Sequence, residues 1–242
     1  MTGGAHRVAA DRVMRLPDAG AVERFCADFL AVAGPGAAQC GRIGVAVSGG
    51  PDSMALLLLA HAAFPGRVAS ATVDHRLRPE AAEEAAMVAA QCRALAIAHA
   101  TLTADIAHHG ASVQARARDA RYGLLHRWAV ESGVDMVATA HHADDQAETL
   151  LMRIARGSGA PGLAAIRAAR PLAAVEGLAP VRLVRPLFGW RKAELRALVA
   201  DIGAPFVDDP SNGDMTYDRA RFRALLAAHP ELDPHALTAA AA

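Results

Sequence analysis

Residues 42–64 have the sequence RIGVAVSGGPDSMALLLLAHAAF. The first six residues predict a buried strand, and the apolar run that starts at Ser53 predicts a buried helix. Between them, two adjacent glycines permit positive φ, so that several backbone N–H groups can converge on one point. The N-terminus of the helix adds its partial positive charge. Together these features predict an anion-binding turn sized for phosphate.

The alternation of strand and helix continues on the C-terminal side of this turn. Further strands are predicted at 67–74, 99–103, 135–140 and 181–187, with helices between them and a glycine- and proline-rich loop over 158–180. This order predicts an α/β fold with a doubly wound, mainly parallel sheet and helices on both faces. Ligands of such sheets bind outside the carboxyl ends of the strands. The loops expected to form the site are therefore 48–52, 74–79, 104–111 and 140–145.

Composition limits the classes of function. The chain has 242 residues, 53% apolar and 21% charged, with a formal net charge of zero. This excludes a disordered chain, and it excludes adhesion to nucleic acid through overall charge, so any such binding must use local patches. The sequence divides into a predicted disordered leader (1–16), a catalytic domain (17–225) and a C-terminal tail (226–242).

The cysteines and the apolar segments indicate the compartment. Cys26, Cys40 and Cys92 are far apart and form no C-x-x-C pair. This argues against a structural zinc site, an iron–sulfur cluster or a disulfide framework, and fits a reducing environment. The longest apolar stretch, Met54–Phe64, is too short to span a membrane, and the N-terminus lacks the shape of a signal peptide. A cytoplasmic protein without membrane partners is expected.

Asp52 is unusual for a turn that binds only an anion, because its carboxylate would repel phosphate. A Mg2+ ion between Asp52 and the phosphates would remove that conflict. Ser48 and Ser53 supply hydroxyl groups beside the glycines. The turn is neither the G-x-x-x-x-G-K-[ST] loop nor the G-x-G-x-x-G dinucleotide turn. A plain helix N-cap in a tight strand–helix connection is the structural alternative.

A second acidic group follows the strand at 135–140, in the segment AHHADDQAET. Asp144, Asp145 and Glu148 crowd the predicted start of a helix, where capping and the helix dipole account for part of the pattern. Their i, i+3 and i, i+4 spacing puts them on one side of the first turn, where they would repel one another without a cation. The adjacent histidines lack the i, i+4 spacing and sulfur partners of a zinc site, so a metal-ligand role for them is not predicted.

The string S-G-G-x-D-S after an apolar strand resembles the pyrophosphate loop of the N-type ATP pyrophosphatases, or PP-loop enzymes. Four further segments sharpen the likeness: VDHRLRPE (73–80), ARARDARYGLL (115–125), ATAHHADDQAETLLMRIARGSGAPGL (138–163), and VRPL (184–187) followed by DDPSNGDMTYDRARFR (208–223). In this order they resemble the tRNA(Ile)-lysidine synthases over about residues 40 to 225. The resemblance implies that ATP adenylates the C2 oxygen of the wobble cytidine, C34, of tRNA(Ile) with a CAU anticodon. The ε-amine of L-lysine then displaces AMP to give lysidine.

The resemblance also implies roles for particular residues. The ATP-binding set is Ser48, Gly49, Gly50, Pro51, Asp52, Ser53 and His75. Asp52 and Asp145 are expected to hold Mg2+. Asp145, Arg121 and His141 are expected to act in catalysis, Arg121 by offsetting charge on the α-phosphate. Asp144 and Glu148 are expected to be supports or lysine contacts, and Arg78, in the loop after the second strand, is a candidate for nucleotide or cytidine contact.

The C-terminal part departs from the family pattern. Arg219, Arg221 and Arg223 could bind RNA phosphates beside the RGSG segment (156–159). The family usually has R-N-x-I-R at this point, and here alanine replaces the asparagine, which puts that contact in doubt. Many lysidine synthases continue into further tRNA-binding domains, so the chain is expected to be a short form or a fragment.

Two alternatives stay open at this point. Another PP-loop enzyme, of the tRNA thiolase or amidotransferase type, would share the ATP-binding turn, although sulfur transfer needs cysteines and an amidotransferase needs an ammonia source. An ATP-binding module without catalytic activity would also keep the turn. The sequence leaves the oligomeric state open, a homodimer included.

Overall fold

A computed structural model describes most of the chain. The described residues are 15–34, 36–37, 41–76, 80–104, 113–158, 166–172, 175–208 and 218–240. The predicted leader therefore lies almost wholly outside the described residues. The loops 77–79, 105–112 and 209–217 lie outside them as well, and with them Arg78.

Eight helices and six strands are formed by the described residues. In chain order they are α1 (Ala19–Ala33), β1 (Arg42–Ala46), α2 (Pro51–Ala63), β2 (Val68–Asp74), α3 (Ala81–Ala94), β3 (Ala98–Thr103), α4 (Val113–Glu131), β4 (Val134–Ala138), α5 (Ala143–Ala155), β5 (Ala169–Pro171), β6 (Arg182–Val184), α6 (Lys192–Ile202), α7 (Asp218–Ala228) and α8 (Pro234–Ala240). The strand–helix alternation predicted from residue 42 to residue 155 is confirmed.

The sheet has the strand order β3-β2-β1-β4-β6-β5. Every neighbouring pair is parallel except β5 with β6. The chain runs outward from β1 to β3 and then returns to place β4 on the other side of β1. The order of strands therefore reverses between β1 and β4. A crevice opens at such a reversal, beyond the carboxyl ends of the two strands, and open α/β sheets bind their ligands there.

Helices cover both faces of the sheet. On one face, α1, α2, α3 and α6 share a core that includes Phe25, Phe29 and Leu195. Helix α2 is apolar nearly all round, which suits a helix buried between the sheet and α1 and α6. On the other face, α4 presents Tyr122, Leu125, Trp128 and Ala129 to β2 and β4. Leu125 and Ala129 are fully buried on this face.

Two C-terminal features differ from the sequence prediction. The predicted strand 181–187 is shorter, Arg182–Val184, and it pairs with an edge strand, Ala169–Pro171, inside the stretch predicted as loop. A strand of three residues is too short to show an alternation of apolar and polar side chains. The glycines and prolines around it are typical of a loop. The predicted tail contains α8, which packs against α5, with Thr238 Oγ1 3.4 Å from the Ala143 carbonyl oxygen.

Gly44, in the middle of β1, is required by close packing. A Cβ at this position would lie 2.8 Å from Val134 Cγ1 and 2.9 Å from Trp128 Cζ3. We expect Gly44→Ala to lower the free energy of unfolding by about 1–3 kcal/mol, because a tightly packed core must shift to admit the methyl group. Gly123→Ala is the control, since Gly123 lies in α4 with nothing within 4 Å of its Cβ position. Gly123→Ala should raise the free energy of unfolding by about 0.5–1 kcal/mol. Urea unfolding of the two variants and the wild type measures both changes.

Candidate functional site

The turn between β1 and α2 lies at the carboxyl end of β1, at the crevice where the strand order reverses. Gly49 has a φ of +88°, a conformation that L side chains rarely adopt, and Gly50 is the N-cap of α2. Pro51 follows at the first helical position, where its missing N–H costs no hydrogen bond. Gly49 thus has the positive φ predicted for the glycine pair, whereas Gly50 has a φ of −72° and α2 begins at Pro51, before the predicted start at Ser53.

Ser53 holds this turn in shape. Its hydroxyl accepts a hydrogen bond from the Ser48 N–H (3.1 Å) and donates one to the Gly50 carbonyl oxygen (3.0 Å). The Val207 N–H donates to the Gly49 carbonyl oxygen from the other side (2.9 Å). The Ser48 N–H is thus occupied by the turn itself. Within the described chain the N–H groups of Gly49, Gly50 and Asp52 carry no such bond. These are the groups open to an anion.

The acidic residues of two loops meet around His142. Its Nε2 lies 3.5 Å from Asp52 Oδ2 and 3.6 Å from Asp145 Oδ2, and its Nδ1 lies 3.5 Å from Asp144 Oδ2. Asp52 comes from the first turn of α2, whereas His142 is the N-cap of α5. The structure therefore brings together the two acids, Asp52 and Asp145, that the sequence analysis paired.

The two adjacent histidines differ in charge. Burial lowers the pKa of His142, but hydrogen bonds to Asp144 and Asp52 and the charge of Asp145 outweigh it and raise the pKa to about 10. A doubly protonated ring donates at both nitrogens, so the 3.4 Å approach of the Asp145 N–H to Nδ1 is not a cap. The cap is instead the hydrogen bond that the His142 N–H donates to Asp145 Oδ2 (3.1 Å).

His141 is neutral by contrast. Burial and the charges of Arg185, Arg219 and Arg118 lower its pKa to about 4, although Asp145 acts in the opposite direction. Its Nδ1 lies 3.1 Å from Thr139 Oγ1. The sequence predicts His141 as a site residue and gives no signal that distinguishes His142. Adjacent histidines look alike in a sequence, and only the N-cap geometry of α5 turns one of them toward Asp52.

Asp144 acts as a structural support. One of its oxygens accepts a hydrogen bond from the Lys192 N–H at the start of α6 (2.8 Å), and Arg191 NH2 lies 3.2 Å from the other. Burial raises the pKa of Asp144, but the hydrogen bonds from His142, Lys192 and Arg191 hold it well below its ordinary value. Asp144 therefore ties α5 to α6.

Glu148 is also enclosed by ion pairs. Its side chain is 1% exposed, with Oε1 2.8 Å from Arg223 Nε and Oε2 3.1 Å from Arg219 Nε. Arg219 NH2 lies a further 3.8 Å from Asp145 Oδ1. Two of the three arginines assigned to RNA phosphates thus turn inward to the acids of α5. Only Arg221 is exposed without such a contact among the described residues.

Arg121 and His75 lie together on the rim of the crevice. Arg121 Nε donates a hydrogen bond to His75 Nε2 (3.2 Å), so His75 carries its own proton on Nδ1. That Nδ1 is buried and has no partner among the described residues. Burial and the charge of Arg121 lower the pKa of His75, against the influence of Asp74. The neutral ring thus offers one N–H donor.

Two cavities occupy the crevice. The larger, of about 620 Å³, is lined by Ser48 and residues 50–52 of the turn, the end of β2, His75 and His142. The smaller, of about 390 Å³, lies against Tyr122, Leu125, Thr139 and His141. Five residues line both cavities: Ser48, Val73, Arg121, Asp145 and Arg219. Two ligands placed in these cavities would therefore meet at Asp145 and Arg121.

The donor set at the turn fits Mg2+. Asp52 Oδ1 is buried and has no hydrogen-bond partner among the described residues, which leaves one carboxylate oxygen free to bind a cation. Mg2+ is usually held by one or two carboxylates together with phosphate oxygens and water. Within the described part of the chain no cluster of three or more His, Cys, Asp or Glu residues could hold a metal alone. Asp52 and Asp145 fit a cation that arrives with phosphates.

A family model described as the PP-loop domain matches residues 22–229. The chain is 51% identical over 222 residues to the tRNA(Ile)-lysidine synthase of Novosphingobium aromaticivorans, an alignment that covers 92% of this chain and 65% of that protein. The corresponding protein of Zymomonas mobilis is 51% identical over 202 residues, covering 83% of this chain and 60% of its own length. The chain thus spans about 60–65% of these relatives.

Two solved structures share the fold. The U34-tRNA thiolase NcsA of Methanococcus maripaludis, which holds a [4Fe-4S] cluster, has a TM-score of 0.71 at 13% identity, and the match covers 100% of this chain and 87% of that one. The ammonia-dependent NAD synthetase of Campylobacter jejuni has a TM-score of 0.50 at 18% identity, covering 92% and 90%. At these identities the matches show the fold alone. Among the described helices, none combines the length and apolarity needed to cross a bilayer.

Proposed function

Because the chain belongs to the PP-loop domain family, we propose that it carries the catalytic site of a tRNA(Ile)-lysidine synthase, an ATP-dependent ligase of the cytoplasm. Its substrates would be ATP, L-lysine and tRNA(Ile) with a CAU anticodon. The similarity to lysidine synthases over 92% of the chain supports this. The observation that carries it is the pair of cavities that share Asp145 and Arg121, since the reaction joins a nucleotide to a separate acceptor.

The first half of the reaction transfers AMP. The C2 oxygen of C34 attacks the α-phosphorus of ATP, the bond from that phosphorus to the bridging oxygen breaks, and pyrophosphate leaves. We assign the phosphates to the N–H groups of Gly49, Gly50 and Asp52, with Ser48, Pro51 and Ser53 shaping the turn. His75 would contact the nucleotide through its unpaired Nδ1–H. Arg121, which borders both cavities, would offset charge on the α-phosphate.

Asp52 and Asp145 would hold Mg2+, which when bound neutralises phosphate charge. The second half of the reaction forms the carbon–nitrogen bond. The lysine ε-amine attacks C2, the C2–O bond breaks, and AMP leaves with that oxygen, while the nitrogen loses a proton. His141 lines the smaller cavity together with Asp145, and we assign it to accept that proton.

A direct assay tests the proposal. The chain is incubated with ATP, Mg2+, labelled lysine and an isoleucine tRNA transcript, and both label in RNA and released pyrophosphate are measured. We expect incorporation that depends on ATP and is lost with a transcript in which C34 is replaced by uridine. Turnover that requires sulfide or ammonia instead of lysine would assign the chain to another PP-loop activity. ATP binding without pyrophosphate release would indicate a module without catalysis.

A further inference from the structure

An arginine cluster lies on the α4 face of the sheet, beside the smaller cavity. Tyr122, which lines that cavity, has the guanidinium carbon of Arg170 4.8 Å and that of Arg118 5.3 Å from its ring centre. The hydroxyl end of Tyr122 lies close enough to Arg170 and Arg185 for both to lower its pKa. Three guanidinium groups from α4, β5 and the end of β6 therefore surround one phenol ring.

The positive charge of this cluster is not neutralised by the described residues. None of Arg118, Arg170 and Arg185 has a carboxylate within 4.0 Å in that part of the chain, whereas Arg191, Arg196, Arg219 and Arg223 all do. Arg185 is 1% exposed; its NH1 donates a hydrogen bond to the Arg167 carbonyl oxygen, but its buried Nε has no hydrogen-bond partner among the described residues, and no carboxylate balances its charge. Burying an unpaired cation is costly, so a compensating anion is expected nearby.

The positive charges of the cluster also affect the pKa values of neighbouring groups. Burial raises the pKa of Tyr122, yet the charges of Arg118 and Arg185 and the hydrogen bonds from Arg170 and Arg185 lower it by more, so that the net shift is downward. The same two arginines, Arg118 and Arg185, lower the pKa of His141. The positive field therefore extends into the smaller cavity, next to the groups that border both cavities.

We infer that Arg118 and Arg170, backed by Arg185 and Tyr122, bind a phosphodiester group of single-stranded RNA next to the nucleotide that reacts. The ATP phosphates have their own cradle at Gly49–Asp52 in the larger cavity, so this cluster serves a second phosphate. Guanidinium groups bind phosphate oxygens in pairs and fix the position of the strand. This inference rests on the proposed function for the identity of the RNA. It explains how a chain of zero net charge holds a polyanion through one local patch.

The test compares Arg118→Gln/Arg170→Gln with Arg127→Gln, a control on the exposed side of the same helix. Binding of a labelled isoleucine tRNA transcript is followed by fluorescence anisotropy at several salt concentrations, and ATP binding by equilibrium dialysis. We expect the double variant to bind RNA about tenfold more weakly, with the slope of log K against log salt reduced by about 0.7 for the loss of one single-strand phosphate. Its ATP affinity and melting temperature should equal those of the control.

Two other results would contradict the inference. Unchanged RNA affinity and slope would remove the cluster from RNA binding. Equal losses of RNA and ATP affinity would show that there is no separate site. Arg118→Gln alone, at an exposed side chain, repeats the test without disturbing Arg170. RNA binding that depends on the cluster, in a chain that incorporates no lysine, would refute only the proposed function.

Discussion

Asp145→Asn is expected to lower the rate of pyrophosphate release by at least about 10³-fold, because it removes a preorganised charge at the point where both cavities meet. The fold should survive. The asparagine oxygen can still accept the hydrogen bond from the His142 N–H, so the N-cap of α5 remains. Single-turnover measurement of pyrophosphate and labelled lysine separates adenylation from the second step, and circular dichroism checks the fold.

Asp135→Asn is the matched control for this substitution. Asp135 lies near the start of β4, at the opposite end of the sheet, and its Oδ2 accepts a hydrogen bond from the Gly41 N–H (2.7 Å). The change in charge is the same and the hydrogen bond can be kept, so turnover should stay near that of the wild type. Lysine incorporation by Asp145→Asn at a near-normal rate would remove Asp145 from the mechanism.

Gly49→Ala is expected to weaken ATP binding by about 10- to 100-fold. A side chain at a φ of +88° costs about 1–2 kcal/mol, and the added Cβ would lie 3.4 Å from Met87 Cε and 3.5 Å from Val88 Cγ2. Those two contacts are of ordinary van der Waals length, so the backbone conformation is the constraint, and its relief requires rotation of the peptide groups around Gly49. One charge-assisted hydrogen bond to phosphate, worth about 1.5–3 kcal/mol, is then lost. Equilibrium dialysis with ATP and Mg2+ measures the change in affinity.

Gly66→Ala separates backbone strain from ligand binding. Gly66 has a φ of +73° in the turn that leads from α2 to β2, with nothing within 4 Å of its Cβ position. Gly66→Ala should lower the free energy of unfolding by about as much as Gly49→Ala does, while leaving ATP affinity unchanged. Equal ATP affinity for Gly49→Ala and the wild type would show that the turn does not hold phosphate.

The parts of the site that were predicted from sequence are those fixed by local structure. A strand, two glycines and a helix place the turn at Ser48–Ser53 without help from distant residues, and the alternation of strands and helices places Asp145 at the same edge of the sheet. The sheet order that brings the two loops together follows from the handedness of parallel connections.

The parts that were missed depend on contacts between distant segments. Arg219 and Arg223 contact Glu148 because α7 packs on α5. The spacing of these two arginines in the sequence does not indicate that packing. The arginine cluster around Tyr122 draws on α4, β5 and the end of β6, which are far apart in the chain. The three-residue strand β5 is decided by its partner β6, since its own composition favours a loop.

The hydroxyl of Ser53 has a consequence for the thermodynamics of nucleotide capture. It bridges the Ser48 N–H and the Gly50 carbonyl oxygen, so the turn is closed by bonds of its own chain. The turn is therefore rigid before a triphosphate binds, and binding does not have to order its backbone. Little conformational entropy is lost on association at this turn, and more of the contact energy is left over as affinity.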